Sequence, residues 1–202
     1  MEDCSKTIAK CIKASCSNPV YSGIDATGWI FNKADVTPVY YQSDPQDDTT
    51  IDKHQVVSFT MATGKKGYEV QQLGKTPFTG TQTEMTEGTN ANTFTNTLAL
   101  VVPDNSLEVS RDIIDNLANG QFIVVLANSY EGGDNHSKYQ VFGLSKGLTA
   151  TAMTNDKYSE DTNGGWAVTL TEENVGVSGV FFYDGTSIAS TKTVLDGYIA
   201  TC

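Results

Sequence analysis

Apolar residues recur at every second position through much of this 202-residue chain. Val57, Phe59 and Met61 alternate with Ser58 and Thr60, and Phe94, Leu98, Leu100 and Val102 alternate with Thr95, Thr97 and Ala99. Successive side chains of a strand point to opposite faces, so this period assigns one face to a core and the other to solvent. Phe122 to Ala127 departs from the alternation: an unbroken apolar run reads as a strand buried on both faces. Threonine, roughly one residue in eight, joins Gly, Val, Tyr and Phe in a composition suited to β-structure. The chain is long enough to fold as one domain, 1–202, around a full core.

Charge narrows the function classes. The formal net charge is −11, from 13 basic and 24 acidic residues. Arg111 is the lone arginine and the lysines are scattered, so the chain lacks the basic cluster with which nucleic-acid readers neutralise phosphates. The longest apolar run is far shorter than the roughly 20 residues of a membrane span. Met1 to Pro19 holds no apolar signal core, so a soluble intracellular product with no membrane partner is expected.

Helix signals are few. In Ser106 to Gly120, Ser106 can cap the first turn and Glu108 favours the positive end of the dipole. Leu107, Ile114 and Leu117 form one stripe with Ile113 beside it, which predicts a helix over about 107–118 packing through those four residues. Arg111 and Asp115 are spaced to pair on the wet side, and Gly120 is placed to end the helix in the left-handed conformation. Near the N-terminus, Cys4, Ile8, Cys11 and Ile12 share a helical face, so residues 1–20 read as an arm or short amphipathic helix. The spacing of Cys4, Cys11, Cys16 and Cys202 does not fit a structural zinc site.

Strands are expected at Tyr139 to Leu144, after the turn Gly132-Gly133-Asp134-Asn135, and at Leu148 to Met153, Trp166 to Leu170 and Val180 to Tyr183. Asp184-Gly185 then reads as a hairpin turn. Val194 to Ile199 is too short to assign. Tyr41 to Asp52 reads as an acidic loop, and 74–96 as an extended hairpin or loop.

No motif specifies chemistry. His54 and His136 read as solvated loop histidines, and no G-x-S-x-G elbow accompanies them. Gly74-Lys75-Thr76 fails as a phosphate loop, because Gly67 is too distant and Pro77 stands where a helix should open. Asp156, Glu160, Asp161 and Asn163 lack the spacing of a calcium loop. Accordingly no catalytic residue, metal or cofactor is expected, and the chain is read as a non-enzyme.

The stretch Thr93 to Gly165, containing DNLANGQF at the helix exit and FGLSKGL in a strand pair, resembles the major tail (tail tube) proteins of bacteriophages and prophages of gut bacteria. The resemblance implies a β-sandwich or barrel with a flanking helix and a projecting hairpin. It implies virion subunits that form rings, commonly hexameric, which stack into a tube for DNA. On this expectation the chain is a homo-oligomer in the virion tail, assembled in the host cytoplasm and joined to other tail or neck proteins. An acidic wall would let DNA pass without gripping it. Asp44, Asp47, Asp48 and Asp52 are candidate inter-ring loop residues, and Phe78, Met85 and Phe94 candidate inter-subunit hairpin residues. Competing expectations are a neck ring, tail terminator or capsid decoration protein. A further one is a carbohydrate-binding module stacking sugars on Trp29, Tyr40, Tyr41 or Trp166.

Overall fold

The computed structural model describes residues 8, 10–12, 22–44, 46–47, 50–71, 81–89, 91–130 and 135–200. The chain is mainly β and folds as two stacked sheets with flanking helices. The strands are β1 (Ile24–Asn32), β2 (Val36–Gln42), β3 (Ile51–Met61), β4 (Tyr68–Gln71), β5 (Gln82–Thr86), β6 (Thr93–Val102), β7 (Phe122–Asn128), β8 (Tyr139–Phe142), β9 (Thr149–Asn155), β10 (Trp166–Val175) and β11 (Val180–Phe182). One sheet has 7 strands in the order β2-β3-β11-β8-β7-β1-β4; the other has 4, in the order β5-β6-β10-β9. All neighbours are antiparallel except β3 and β11, which run parallel.

The apolar run at Phe122 to Ala127 sits inside the larger sheet and is buried throughout, as its sequence requires. Ile123, Val125 and Ala127 enter one core with Trp29, Phe59 and Phe182. Phe122, Val124 and Leu126 enter the second core, facing Leu98, Leu100, Val168 and Leu170 of the smaller sheet. The first core is covered by a helix at Ile188–Gly197, whose Leu195 is fully buried.

That helix replaces the hairpin expected at Asp184-Gly185. Asp184 instead acts as a capping hub. Its carboxylate accepts from the Thr186 N–H at 2.9 Å, the Thr191 hydroxyl at 2.9 Å and the Ser190 hydroxyl. Ser187 caps the first turn by accepting from the Ser190 N–H at 3.1 Å. These bonds satisfy donors that a helix start leaves without partners, so the chain turns into a helix and not into an antiparallel strand. Trp29, a candidate sugar platform by sequence, is a core residue whose Nε1 donates to Asp196 at 3.0 Å.

The expected hairpin at 74–96 is present in part: β5 and β6 pair from Gln82↔Thr97 to Thr86↔Thr93. Phe78 lies outside the described residues, as does most of the expected N-terminal helix.

Candidate functional site

The predicted helix forms in three pieces: Leu107–Val109, a π turn at Ser110–Ile114, and Asp115–Asn119. Ser106 caps it, accepting from the Val109 N–H at 3.2 Å. Within the π turn the Asp115 N–H reaches back five residues to the Ser110 carbonyl. This extra residue rotates the first turn of the helix by about a quarter turn relative to the last. Ile114 and Leu117 are buried as expected, and Val109 packs with them. Leu107 is 82% exposed and Ile113 41% exposed, so neither belongs to the packing stripe. Two smaller expectations fail with them. Arg111 pairs with Asp112 at 2.6 Å, not with Asp115. Gly120 is extended (φ −94°) and not left-handed; it is required because a Cβ would sit 2.3 Å from the Phe122 ring.

Half-exposed Ile113 forms part of the wall of a groove of about 840 Å³. The groove runs between this helix, the end of β6 and the β1–β4 edge of the larger sheet. Ile30, Val70, Val109 and Leu117 give it apolar lining, and the cross-strand partner of Ile30, exposed Tyr68, stands at the edge. Glu108 and the ion-paired Asp112 add exposed carboxylates, whereas Glu69, the cross-strand partner of Trp29, faces the other side of the sheet. The hydrogen bond from Arg111 holds the Asp112 carboxyl below the usual carboxylate value.

The larger sheet ends at β2 on one side and β4 on the other, and among the described residues no strand pairs with the outer side of either. Gly67, just before β4, is bridged to Ile199; Tyr68–Gln71 lies beyond that bridge. Pro38 fits an edge position, since it has no N–H to give to a ladder. Both edges show exposed apolar side chains: Val39 and Tyr41 on β2, with Ile51 on its neighbour, and Tyr68 on β4.

A second, smaller cleft of about 210 Å³ contains the buried carboxylate of Glu172 with Tyr40, Gln140 and Lys53. Glu172 accepts from the N–H groups of Gly143 (3.0 Å) and Lys146 (2.7 Å) and from Asn96 Nδ2 (3.3 Å). Burial, and then the charge of Glu172, push the Tyr40 hydroxyl above its ordinary pKa. These bonds tie β10 to the turn after β8 and account for the carboxylate structurally.

The acidic loop does not converge on the groove. Asp44 and Asp47 shape the β2–β3 turn, where Thr50 donates to the carbonyls of both. Asp52 accepts from the His54 N–H at 2.8 Å, and Asp48 lies outside the described residues. Met85 and Phe94 are cross-strand partners at the β5 edge. His54 Nδ1 lies 2.7 Å from the Gly179 carbonyl, whereas His136, expected to be solvated, is half-buried and stacks on Tyr183 at 4.1 Å. Sequence patterning missed the groove because it does not specify which strands lie beside the helix. It could have found Glu172, which continues the inward series Trp166, Val168, Leu170. Compared with family models, with curated proteins and with solved structures, the chain matches none.

Proposed function

We propose that this chain is a structural subunit that associates with copies of itself, edge to edge, into the rings of a phage tail tube. The observation that supports this most is that one sheet bears exposed apolar side chains at both of its opposite open edges, at Val39 and Tyr41 on β2 and at Tyr68 on β4. Unpaired strand edges recruit further strands, and apolar side chains beside them add area to bury. Joining β2 of one copy to β4 of the next is a head-to-tail contact, which closes into a ring when the rotation per copy divides a full turn. The resemblance of Thr93 to Gly165 to tail tube proteins adds the stacking of rings into a DNA conduit. With a net charge of −11 per copy, acidic side chains facing the lumen would repel phosphate and let DNA slide.

Electron microscopy of the purified chain over a range of concentration and salt tests the reading. Rings or tubes are expected, and they should be lost when Val39→Lys and Tyr68→Lys place charges on both edges. Monomers under every condition would overturn it.

A further inference from the structure

The two open edges of the larger sheet run in opposite directions. Along its order from β2 to β4 five pairings are antiparallel and one is parallel, so β4 points against β2. Both edges show their exposed apolar side chains on the same face. Val36 and Tyr40 belong to the first core, so Val39 and Tyr41 point to the opposite face, that of the second core. Val70 packs against the second core, and Tyr68, two residues away on β4, shares its face. Charge is arranged along these edges as well. Lys65 and Lys66 are exposed just before β4, and among the described residues neither has an acidic partner; Lys66 Nζ donates to the Ile199 carbonyl at 3.4 Å. Asp44 and Asp47 are exposed just after β2, with Asp44 accepting from the Gln46 N–H at 3.0 Å.

From this arrangement we infer that β4 of one copy adds antiparallel to β2 of the next, with Tyr68 opposite Tyr41, Val70 opposite Val39, and Lys65 and Lys66 against Asp44 and Asp47. A head-to-tail repeat keeps both the direction and the faces of every copy, which makes the new pair antiparallel and places the four apolar side chains on one surface. Cross-strand apolar pairs of this kind stabilise a ladder. Lys65 lies three residues before Tyr68 and Asp44 three after Tyr41, so the register that matches the tyrosines also matches the charges. Pro38, with no N–H to give, falls opposite Gln71 at the end of the ladder. A parallel pairing would set Lys65 and Lys66 beside Lys33, at the start of β2, and oppose like charges. The inference rests on the edge-to-edge association of the proposed function and adds its direction, register and charge pairing.

The test has two arms, both on the full chain. In the first, Tyr41→Cys and Tyr68→Cys are made in separate copies that also carry Cys4→Ser, Cys11→Ser, Cys16→Ser and Cys202→Ser, and the two are mixed and oxidised. Directly opposite residues of an antiparallel pair have Cα atoms about 4.5–5.5 Å apart, within reach of a disulfide, so a covalent heterodimer is expected. Gln42→Cys in place of Tyr41→Cys is one residue out of register and on the other face, and should cross-link at least about tenfold less. In the second arm, one variant carries Lys65→Glu and Lys66→Glu and the other Asp44→Lys and Asp47→Lys. Each alone should associate at least about tenfold more weakly than the wild type in sedimentation velocity, and mixing them should restore association, because each supplies the sign that the other lacks. A missing cross-link between Tyr41→Cys and Tyr68→Cys, or one surpassed by Gln42→Cys, overturns the proposal, as does a mixture that associates no better than either charge variant alone. Rings formed as readily by the Lys65→Glu, Lys66→Glu variant, without the cross-link, would sink this pairing and leave the ring reading standing. The cross-link and the recovery on mixing, in assemblies that never close into rings, would do the reverse.

Discussion

Glu172 Oε2 accepts the Gly143 N–H at 3.0 Å, and through that bond a strand of the smaller sheet holds the turn after β8 in the larger one. The second carboxylate oxygen holds the Lys146 N–H at 2.7 Å, so one buried side chain satisfies two backbone donors of a single turn.

Removing that acceptor should be costly. Glu172→Ala strands both N–H groups and the Asn96 amide, with an expected loss of about 3 kcal/mol in urea unfolding. Glu172→Gln keeps one acceptor oxygen and should lose about half as much. Equal losses in the two variants would show that the one acceptor oxygen kept by Gln contributes nothing, and would refute the graded effect.

The phase of the π-bulged helix makes opposite forecasts for two residues that look alike in sequence. Ile114→Asp buries an unpaired charge and should cost about 4 kcal/mol or prevent folding. Leu107→Asp changes an exposed side chain in the first turn, where a negative charge suits the dipole, and should stay within about 0.5 kcal/mol of the parent. Thermal melts of the pair decide it; a matching large loss at Leu107 would refute the rotation.

Asp184 predicts a pH response. Burial pushes its carboxyl up, but hydrogen bonds from Ser190, Thr186, Thr191 and Ser187 together outweigh that and hold it below its ordinary value of 3.8. A depressed folded value means the unfolded chain takes up the proton first. The stabilisation is therefore complete above the ordinary value and declines as the pH falls through 3.8 toward the lower folded value. Asp184→Asn should flatten that acid limb in melts recorded across the range, and an unchanged limb would exclude Asp184 as its source.

Two glycines separate close approach from mere turn composition. A Cβ at Gly120 would lie 2.3 Å from Phe122 and 2.8 Å from the Asn116 carbonyl, so Gly120→Ala should cost about 1–3 kcal/mol. Gly176 has nothing within 4 Å of such an atom, and Gly176→Ala should be neutral or stabilise by up to about 1 kcal/mol. Chemical denaturation of both variants measures the contrast.

The features legible in the sequence were those that period and local chemistry determine. Alternation located β3, β6 and β10, and the apolar run located β7 with its two buried faces. Ser106 marked the start of its helix correctly. The helix at Ile188–Gly197 was hidden because its buried face includes Thr191, a residue that patterning counts as polar, and because Asp184-Gly185 looks like a hairpin turn. Thr191 is tolerated there since its hydroxyl bonds to Asp184. The π turn had no compositional mark, so the exposure of Leu107 was invisible. The parallel pairing of β3 with β11 joins segments far apart in the chain, and period two does not specify partners. Of the proposed contact residues, Met85 lies on the edge strand β5 and Phe94 opposite it on β6, whereas Tyr68 went unnoticed and Ile113 looked like a packing residue.

Because β7 lends alternate side chains to both cores, it is a party wall between two rooms. Neither room can be dismantled while the other stands, so the sheets and both helices should melt in one step. The β7 amides should then exchange with solvent only at the rate of global opening.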